Sequence, residues 1–412
     1  MTVELIVHRG TREIGGSCIE IRHSGGDRLI LDAGRPLDAP DGASGLLPAS
    51  LDRRGLATVL ISHPHQDHWG LSEELPAAWP VWTGAASARL IGLTADTMRR
   101  PLSRTLSTWD SRGGPLALGP FTVTPILTDH SAFDAHMLLI DCDGRRILYT
   151  GDFRRHGRKS VLVDRMMATP PSAIDVMLTE GTNLGTDKPT VSEADLEKDF
   201  ATLIDRTPGR LFVSWSAQNI DRTVTLFRAA RQCGRTLVID LYTADVLDHV
   251  APGTRLPHPG LPDIKVVMTH GLAAAYRRRG REDYVRRMVK QGISAARLQS
   301  RRDVVMLRQG LLHDYQHKGV VPCADDALCF SMWRGYFDDP RFAGPLDWCR
   351  SHGVPIHQIH TSGHASPADL RAFAGAMKPG VVVPVHGVKW DEAAEGFPPL
   401  RRLDDGDIMR LP

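Results

Sequence analysis

The sequence predicts an α/β protein in which one domain is interrupted by an inserted α/β domain and then resumed. Three observations carry this reading. The first part is rich in strand-like runs that end in His or Asp. After Glu180 the pattern changes to helices alternating with β-branched runs. The last part returns to strand, helix, strand, with further histidines at strand ends. With 412 residues and 42% hydrophobic content, the chain is long enough to bury more than one core.

From Met1 to about Asp152, the runs VELIVH, CIEIRH, DRLILDAG, ATVLISH, FTVTPILTDH, HMLLIDCDG and RRILYTGDF read as strands separated by Gly-rich turns. Polar side chains placed where a strand gives way to a loop are well placed to build a site on a rigid scaffold. After Glu180, SEADLEKDFATLI and NIDRTVTLFRAARQCG read as helices, and RLFVSWSA, TLVIDLY and DIKVVMTH as strands of a buried parallel sheet. The chain then closes with PIHQIHTSGH, a helix SPADLRAFAGAMKPG with Ser366 as N-cap, and VVVPVHG. The corresponding boundaries are 1–185 for the first part of the interrupted domain, 186–350 for the insertion and 351–412 for the return.

The formal net charge is +2, so any affinity for a polyanion has to come from a local patch. The N-terminus lacks the basic start and apolar stretch of a signal peptide, and the longest apolar region, residues 77–95, is broken by Pro80 and Arg89. These features predict a soluble, cytoplasmic protein with no membrane partner. The six cysteines are dispersed and read as buried free thiols rather than a disulfide framework or zinc ribbon.

The strongest chemical signal is Ile61-Ser-His63-Pro-His65-Gln-Asp67-His68, directly after an apolar run. Three imidazoles and a carboxylate on one strand-to-loop corner are costly to desolvate together, and a borderline metal such as zinc removes that cost. His130 in LTDH, Asp152 in YTGDF and His386 in VVVPVHG each follow a strand-like run and fit further coordination positions.

This ordered set resembles the metallo-β-lactamase superfamily, and the added TEGT, SGH and VHG segments resemble its β-CASP nuclease branch. That branch includes RNase J and the endonuclease of pre-mRNA 3′-end processing. The resemblance implies a metallo-β-lactamase αββα sandwich carrying an inserted α/β β-CASP domain. It implies one zinc on His63, His65 and His130, a second on Asp67, His68 and His386, and Asp152 bridging both, with manganese as a substitute metal. Asp32 in RLILDAG would support the cluster without ligating; on the residues alone it reads equally as a turn cap. Asp67, Asp32, Glu180 and His364 form the implied catalytic set. His364 would protonate the leaving oxygen and Glu180 would orient it.

Ser362 and Ser366 beside a helix N-terminus would hold substrate phosphate, as would Ser216, Gln218, Asn219 and Arg222 in SWSAQNIDR, with helix capping as the competing reading. The Arg-dense run from Arg277 to Arg308 reads as a solvated helix face more readily than as a phosphate groove, for which Tyr276 and Tyr284 would be the stacking surfaces.

The implied reaction is hydrolysis of RNA phosphodiesters by a hydroxide activated between two zinc ions, leaving 5′-phosphate and 3′-hydroxyl ends. His386 favours RNA over DNA within that resemblance. A DNA nuclease of the same fold is the alternative. A small-molecule metallo-hydrolase would need neither the insertion nor the Glu180 and His364 pair, and a metal-free scaffold would not keep every ligand position filled. The sequence departs from the RNase J pattern by ending soon after His386 and by placing Gly387 and Val388 where His-Gly-Glu is usual. Cleavage mode, endonucleolytic or from the 5′ end, and oligomeric state are therefore left open.

Overall fold

A computed structural model describes residues 2–110, 113–186 and 190–411. The chain divides into two compact units, residues 1–189 with 363–412, and residues 190–362.

The first unit holds two sheets. In one, Val3–Arg9, Cys18–His23 and Arg28–Leu31 pair antiparallel, and Thr58–Ile61, Val81–Gly84 and Leu106–Trp109 then follow Arg28–Leu31 in parallel, while Ile408–Arg410 adds to the edge of the first strand. In the other, Leu116–Leu118, Phe121–Leu127, His136–Cys142 and Arg145–Tyr149 are antiparallel, and Val176–Thr179 and Val381–Pro384 run parallel to Arg145–Tyr149.

Alternation along these strands sends Leu5, Val7, Ile19, Ile21, Leu29 and Leu31 to a core shared with Val123, Leu138, Ile147, Leu178 and Val383 of the second sheet. The outer faces are covered too. Met137, Leu148, Met177 and Val382 pack on Val163 and Met166 of the helix Ser160–Ala168 and on Leu370 and Phe373 of Pro367–Met377, while Ile30, Val59 and Ile61 pack with Ile91 and Ala95 of Ala85–Thr97. The result is the four-layer αββα sandwich that the motif pattern implies. Burial on both faces accounts for unbroken apolar runs such as VMLT at 176–179.

Strand direction decides where the site can form. Phe121–Leu127, Arg145–Tyr149, Val176–Thr179 and Val381–Pro384 point the same way, so their C-terminal ends lie at one edge of their sheet; those of Arg28–Leu31 and Thr58–Ile61 likewise share an edge of theirs.

The second unit contains a sheet of seven strands, every pair of them parallel. Its strands Leu211–Ser214, Leu237–Asp240, Val304–Met306 and Ala327–Phe330 are buried at every position. The helix Glu193–Arg206 is capped by Ser192, which accepts from Asp195 N at 3.1 Å.

Several local expectations are corrected. TLVIDLY is strand only to Asp240, because the Asp240 side chain accepts from Thr243 N at 2.7 Å and starts the helix Leu241–Val250; the cap outweighs the β-propensity of Leu241 and Tyr242. Residues 77–95 supply the strand Val81–Gly84 and most of the helix Ala85–Thr97. PIHQIHTSGH forms strand only at Ile356–His357. The cysteines are all free, but Cys323 is exposed and Cys233 half-buried rather than buried. Among the described residues no helix is long and apolar enough to cross a membrane.

Candidate metal centre

The corner after Thr58–Ile61 places His63 and His65 in a loop and Asp67 and His68 in the short helix Gln66–Trp69. His130, Asp152, Glu180 and His386 follow the C-terminal ends of Phe121–Leu127, Arg145–Tyr149, Val176–Thr179 and Val381–Pro384. Donor atoms of His63, His65 and His130 lie within 4.8 Å of one another, as do those of Asp67, His68, Asp152 and His386. Asp152 Oδ2 is 3.2 Å from His68 Nε2 and 3.7 Å from His63 Nε2, so it adjoins both groups.

The histidine tautomers follow from hydrogen bonding. Asp32 accepts from Ser62 N at 2.7 Å, Ser62 Oγ at 2.8 Å, Tyr149 Oη at 2.6 Å and His68 Nδ1 at 2.7 Å. Because the Ser62 hydroxyl proton goes to Asp32, its oxygen accepts from His63 Nδ1 at 3.0 Å. His130 Nδ1 donates to Gly363 O at 2.7 Å, and His386 Nδ1 meets Ser17 Oγ at 3.1 Å. His68, His63 and His130 therefore each commit Nδ1 to a fixed acceptor and present Nε2 inward, while His386 places Nδ1 3.4 Å from Asp152 Oδ1 and Nε2 3.8 Å from Asp67 Oδ2. The Nε2 atoms of His63, His68 and His386 are buried with no hydrogen-bond partner, as is Asp152 Oδ1. Orphaned buried polar atoms are rare and costly. Anchored Nδ1 atoms with converging Nε2 lone pairs are the arrangement a metal-ligating imidazole requires, and the donor set fits divalent cations.

Electrostatics agrees with that fit. Burial, reinforced by the neighbouring imidazoles, pushes His63 and His130 well below the ordinary histidine range, and burial lowers His65 to about 4, so these rings are neutral as ligation demands. Burial opposes charge on His68 as well, yet Asp152, Asp32 and Asp67 together raise it well above its usual value. Three carboxylates around one imidazole mark a position of strongly negative potential, suited to a cation.

Backbone geometry is tuned to the same point. Asp32 and His386 both adopt left-handed φ, 61° and 47°, a conformation costing about 1–3 kcal/mol for a non-glycine residue and concentrated at functional sites. Gly34 passes so close to the loop that an added Cβ would sit 1.7 Å from Asp67 O, and Cβ on Gly387 would sit 2.8 Å from the Gly181 backbone. The glycines after Asp32, Glu180 and His386 thus let strand ends approach. Gly34→Ala is expected to displace Asp67 and His68 and to weaken metal binding by about 10–100-fold; titration with zinc would measure this.

Beside the cluster, His364 Nδ1 lies 2.9 Å from Glu180 Oε2 and 3.7 Å from Asp152 Oδ2. The other Glu180 oxygen accepts from Phe153 N at 2.9 Å, and Asn183 Nδ2 donates to the His364 and Ala365 carbonyls at 3.0 Å. Burial disfavours the imidazolium, but Glu180 and Asp152 outweigh it and raise His364 to about 9. Ser17, Ser62, Tyr149 and Asn183 were not singled out in the sequence; only the nearness of Ser62 and Tyr149 to the motifs could have indicated them.

The residues expected to hold substrate fare unevenly. Ser366 caps Pro367–Met377, accepting from Asp369 N at 3.1 Å, and Ser362 is half-buried immediately before Gly363. Ser216 is exposed, while Asn219 caps Ile220–Gln232 through Arg222 N at 3.0 Å. Arg222 is corrected: it is fully buried, paired with Glu193 at 3.1 Å and bonded to Ser331 and Ile359, so it offers nothing to a phosphate. Arg222→Met is expected to destabilise the second unit by about 3–5 kcal/mol, the cost of leaving a buried charge unpaired, with denaturant unfolding as the check. Tyr276 and Tyr284 are also buried, not stacking surfaces, and Arg277, Arg281, Arg286, Arg287, Arg301 and Arg308 are each paired with a carboxylate.

Residues 11–198 match the family model described as the metallo-β-lactamase superfamily. Over that stretch the chain is similar to that superfamily. Residues 354–394, which include His364 and His386, match a second model, the zinc-dependent metallo-hydrolase RNA specificity domain. The chain is 22% identical to Ribonuclease J of Sinorhizobium meliloti over 93% of its length and 69% of the relative's, 22% identical to that of Helicobacter pylori over 98% and 59%, and 24% identical to that of Mycobacterium tuberculosis over 92% and 67%. It therefore spans roughly three-fifths to two-thirds of these relatives. A crystal structure of an Enterococcus faecalis protein of unknown function shares its fold, with a TM-score of 0.80 at 19% identity and full coverage of both chains.

Proposed function

We propose that this protein is a metal-dependent nuclease that hydrolyses RNA phosphodiester bonds. The observation carrying this is the convergence of buried, partnerless Nε2 atoms and Asp152 beside the Glu180–His364 pair. Likeness to Ribonuclease J along most of the chain, and the RNA specificity match across His364 and His386, support RNA as the substrate class.

His63, His65 and His130 would hold one ion and Asp67, His68 and His386 a second, with Asp152 shared. Bound there, zinc or manganese supplies Lewis acidity to the phosphate oxygens and water acidic enough to attack near neutral pH. Asp32 keeps His68 in the ligating tautomer and, through Ser62, His63 as well. Glu180 fixes His364 Nδ1, so the protonated ring carries its second N–H at Nε2 and gives that proton to the leaving 3′-oxygen. The products then carry 5′-phosphate and 3′-hydroxyl ends. Of the polar groups expected to contact substrate, Ser216 is exposed and Ser362 half-buried.

Chelator-treated protein, assayed on end-labelled RNA and DNA of matched sequence, tests this. RNA cleavage is expected to vanish on metal removal, to return with zinc or manganese, and to yield 5′-phosphorylated products. Cleavage of DNA alone would overturn the RNA assignment, and a metal-loaded protein cutting neither would overturn the nuclease reading.

A further inference from the structure

On the face of the first sheet opposite the shared core, three side chains form a relay that the proposed nuclease site does not use. His8 lies in Val3–Arg9 and Glu20 in the neighbouring strand Cys18–His23. His8 Nε2 is 2.9 Å from Glu20 Oε2, and His8 Nδ1 is 2.9 Å from Ser50 Oγ. His8 and Glu20 are 3% and 0% exposed, whereas Ser50 is on the surface.

Proton positions along this relay are determined by its buried end. Glu20 also accepts from Arg28 Nε at 2.5 Å and Arg22 Nη2 at 3.2 Å. Burial would raise its pKa, but His8, Arg28 and Arg22 reverse that and lower it to about 2. An ionised carboxylate only accepts, so the neutral His8 ring carries its proton on Nε2 and turns the Nδ1 lone pair to the Ser50 hydroxyl. Nucleophile, base and orienting carboxylate are thus in hydrogen-bond sequence, the geometry by which a serine hydroxyl is activated. Gly406 adjoins Ser50, and a Cβ there would lie 3.4 Å from Ser50 Cβ and 3.7 Å from Oγ; its bareness keeps that side of the hydroxyl open. A surface serine that merely closed a loop would need neither a buried imidazole nor a buried carboxylate, whose desolvation is expensive.

We propose that Ser50 is a second nucleophilic centre, with His8 as its base and Glu20 as the positioning residue, and that it accepts acyl groups from activated esters. Oγ attacks the ester carbonyl carbon as its proton passes to His8 Nδ1. The bond from that carbon to the leaving oxygen breaks, His8 returns the proton to the departing alcohol, and an acyl ester remains on Ser50.

The test treats the full chain with p-nitrophenyl acetate, follows p-nitrophenol release and locates the acetyl group by peptide mass spectrometry. Acetylation of Ser50 is expected at roughly 100-fold the rate of the exposed Ser44, the low end for general-base assistance, with a solvent deuterium isotope effect on the burst. Ser50→Ala should remove the burst and leave RNA cleavage unchanged. His8→Gln should slow it by about 10²-fold, and where that variant unfolds, the isotope effect on the unaltered protein decides. Labelling of Ser50 no faster than Ser44, or a burst without an isotope effect, would overturn the proposal.

Discussion

Asp152→Asn is expected to reduce RNA hydrolysis by at least about 10³-fold and to deplete bound metal, because Asp152 is a buried carboxylate that adjoins both donor groups. Its oxygens lie 3.2 Å from His68 Nε2, 3.7 Å from His63 Nε2 and 3.4 Å from His386 Nδ1. Burial opposes its ionisation, yet His386, His68 and His364 hold its pKa well below the carboxylate range, so it is an anion set among three imidazoles. Loss of metal forfeits several kcal/mol of charge stabilisation, and each ~1.4 kcal/mol is a tenfold rate change. Metal content by plasma emission and rates on labelled RNA check this, with circular dichroism reporting the fold. A variant that keeps its metal and cuts within tenfold of the parent would show that Asp152 is not shared between ions.

His364→Gln should act differently. It removes the proton donor but no donor atom of the two ligand groups, so kcat should fall by about 10²–10⁴-fold while metal content holds. The distinguishing measurement is a substrate with a good leaving group, such as bis(p-nitrophenyl) phosphate, which departs without protonation and should lose little rate. Equal losses on RNA and on the aryl diester would mean that His364 serves substrate binding or structure instead.

What the sequence disclosed follows from how locally each feature is encoded. The His63 to His68 corner is contiguous, and His130, Asp152 and His386 each follow a run of strand-forming residues, so the strand-end placement was readable. The supporting hydrogen bonds were not. Ser17, Ser62 and Tyr149 are ordinary strand or turn residues until folding brings them to His386, His63 and Asp32. Arg222 misled for a related reason: its partner Glu193 lies 29 residues earlier on another helix, so a charge that looked available to phosphate is consumed inside the unit. Tyr276 and Tyr284 likewise looked like stacking surfaces, but their rings are buried, and Arg279, Arg281 and Arg287 pack over them from the partly exposed side. Asp240 ended a strand that propensity alone would have extended, since capping is decided by one side-chain hydrogen bond.

The central claim is that seven side chains from four segments of the first unit together grip a pair of divalent ions. Anomalous diffraction at the zinc absorption edge, from crystals of protein purified without chelator, tests it most directly. Two peaks are predicted, one among His63, His65 and His130 and one among Asp67, His68 and His386, with Asp152 between them. A map with no anomalous density at these side chains, from protein that still cleaves RNA, would contradict it.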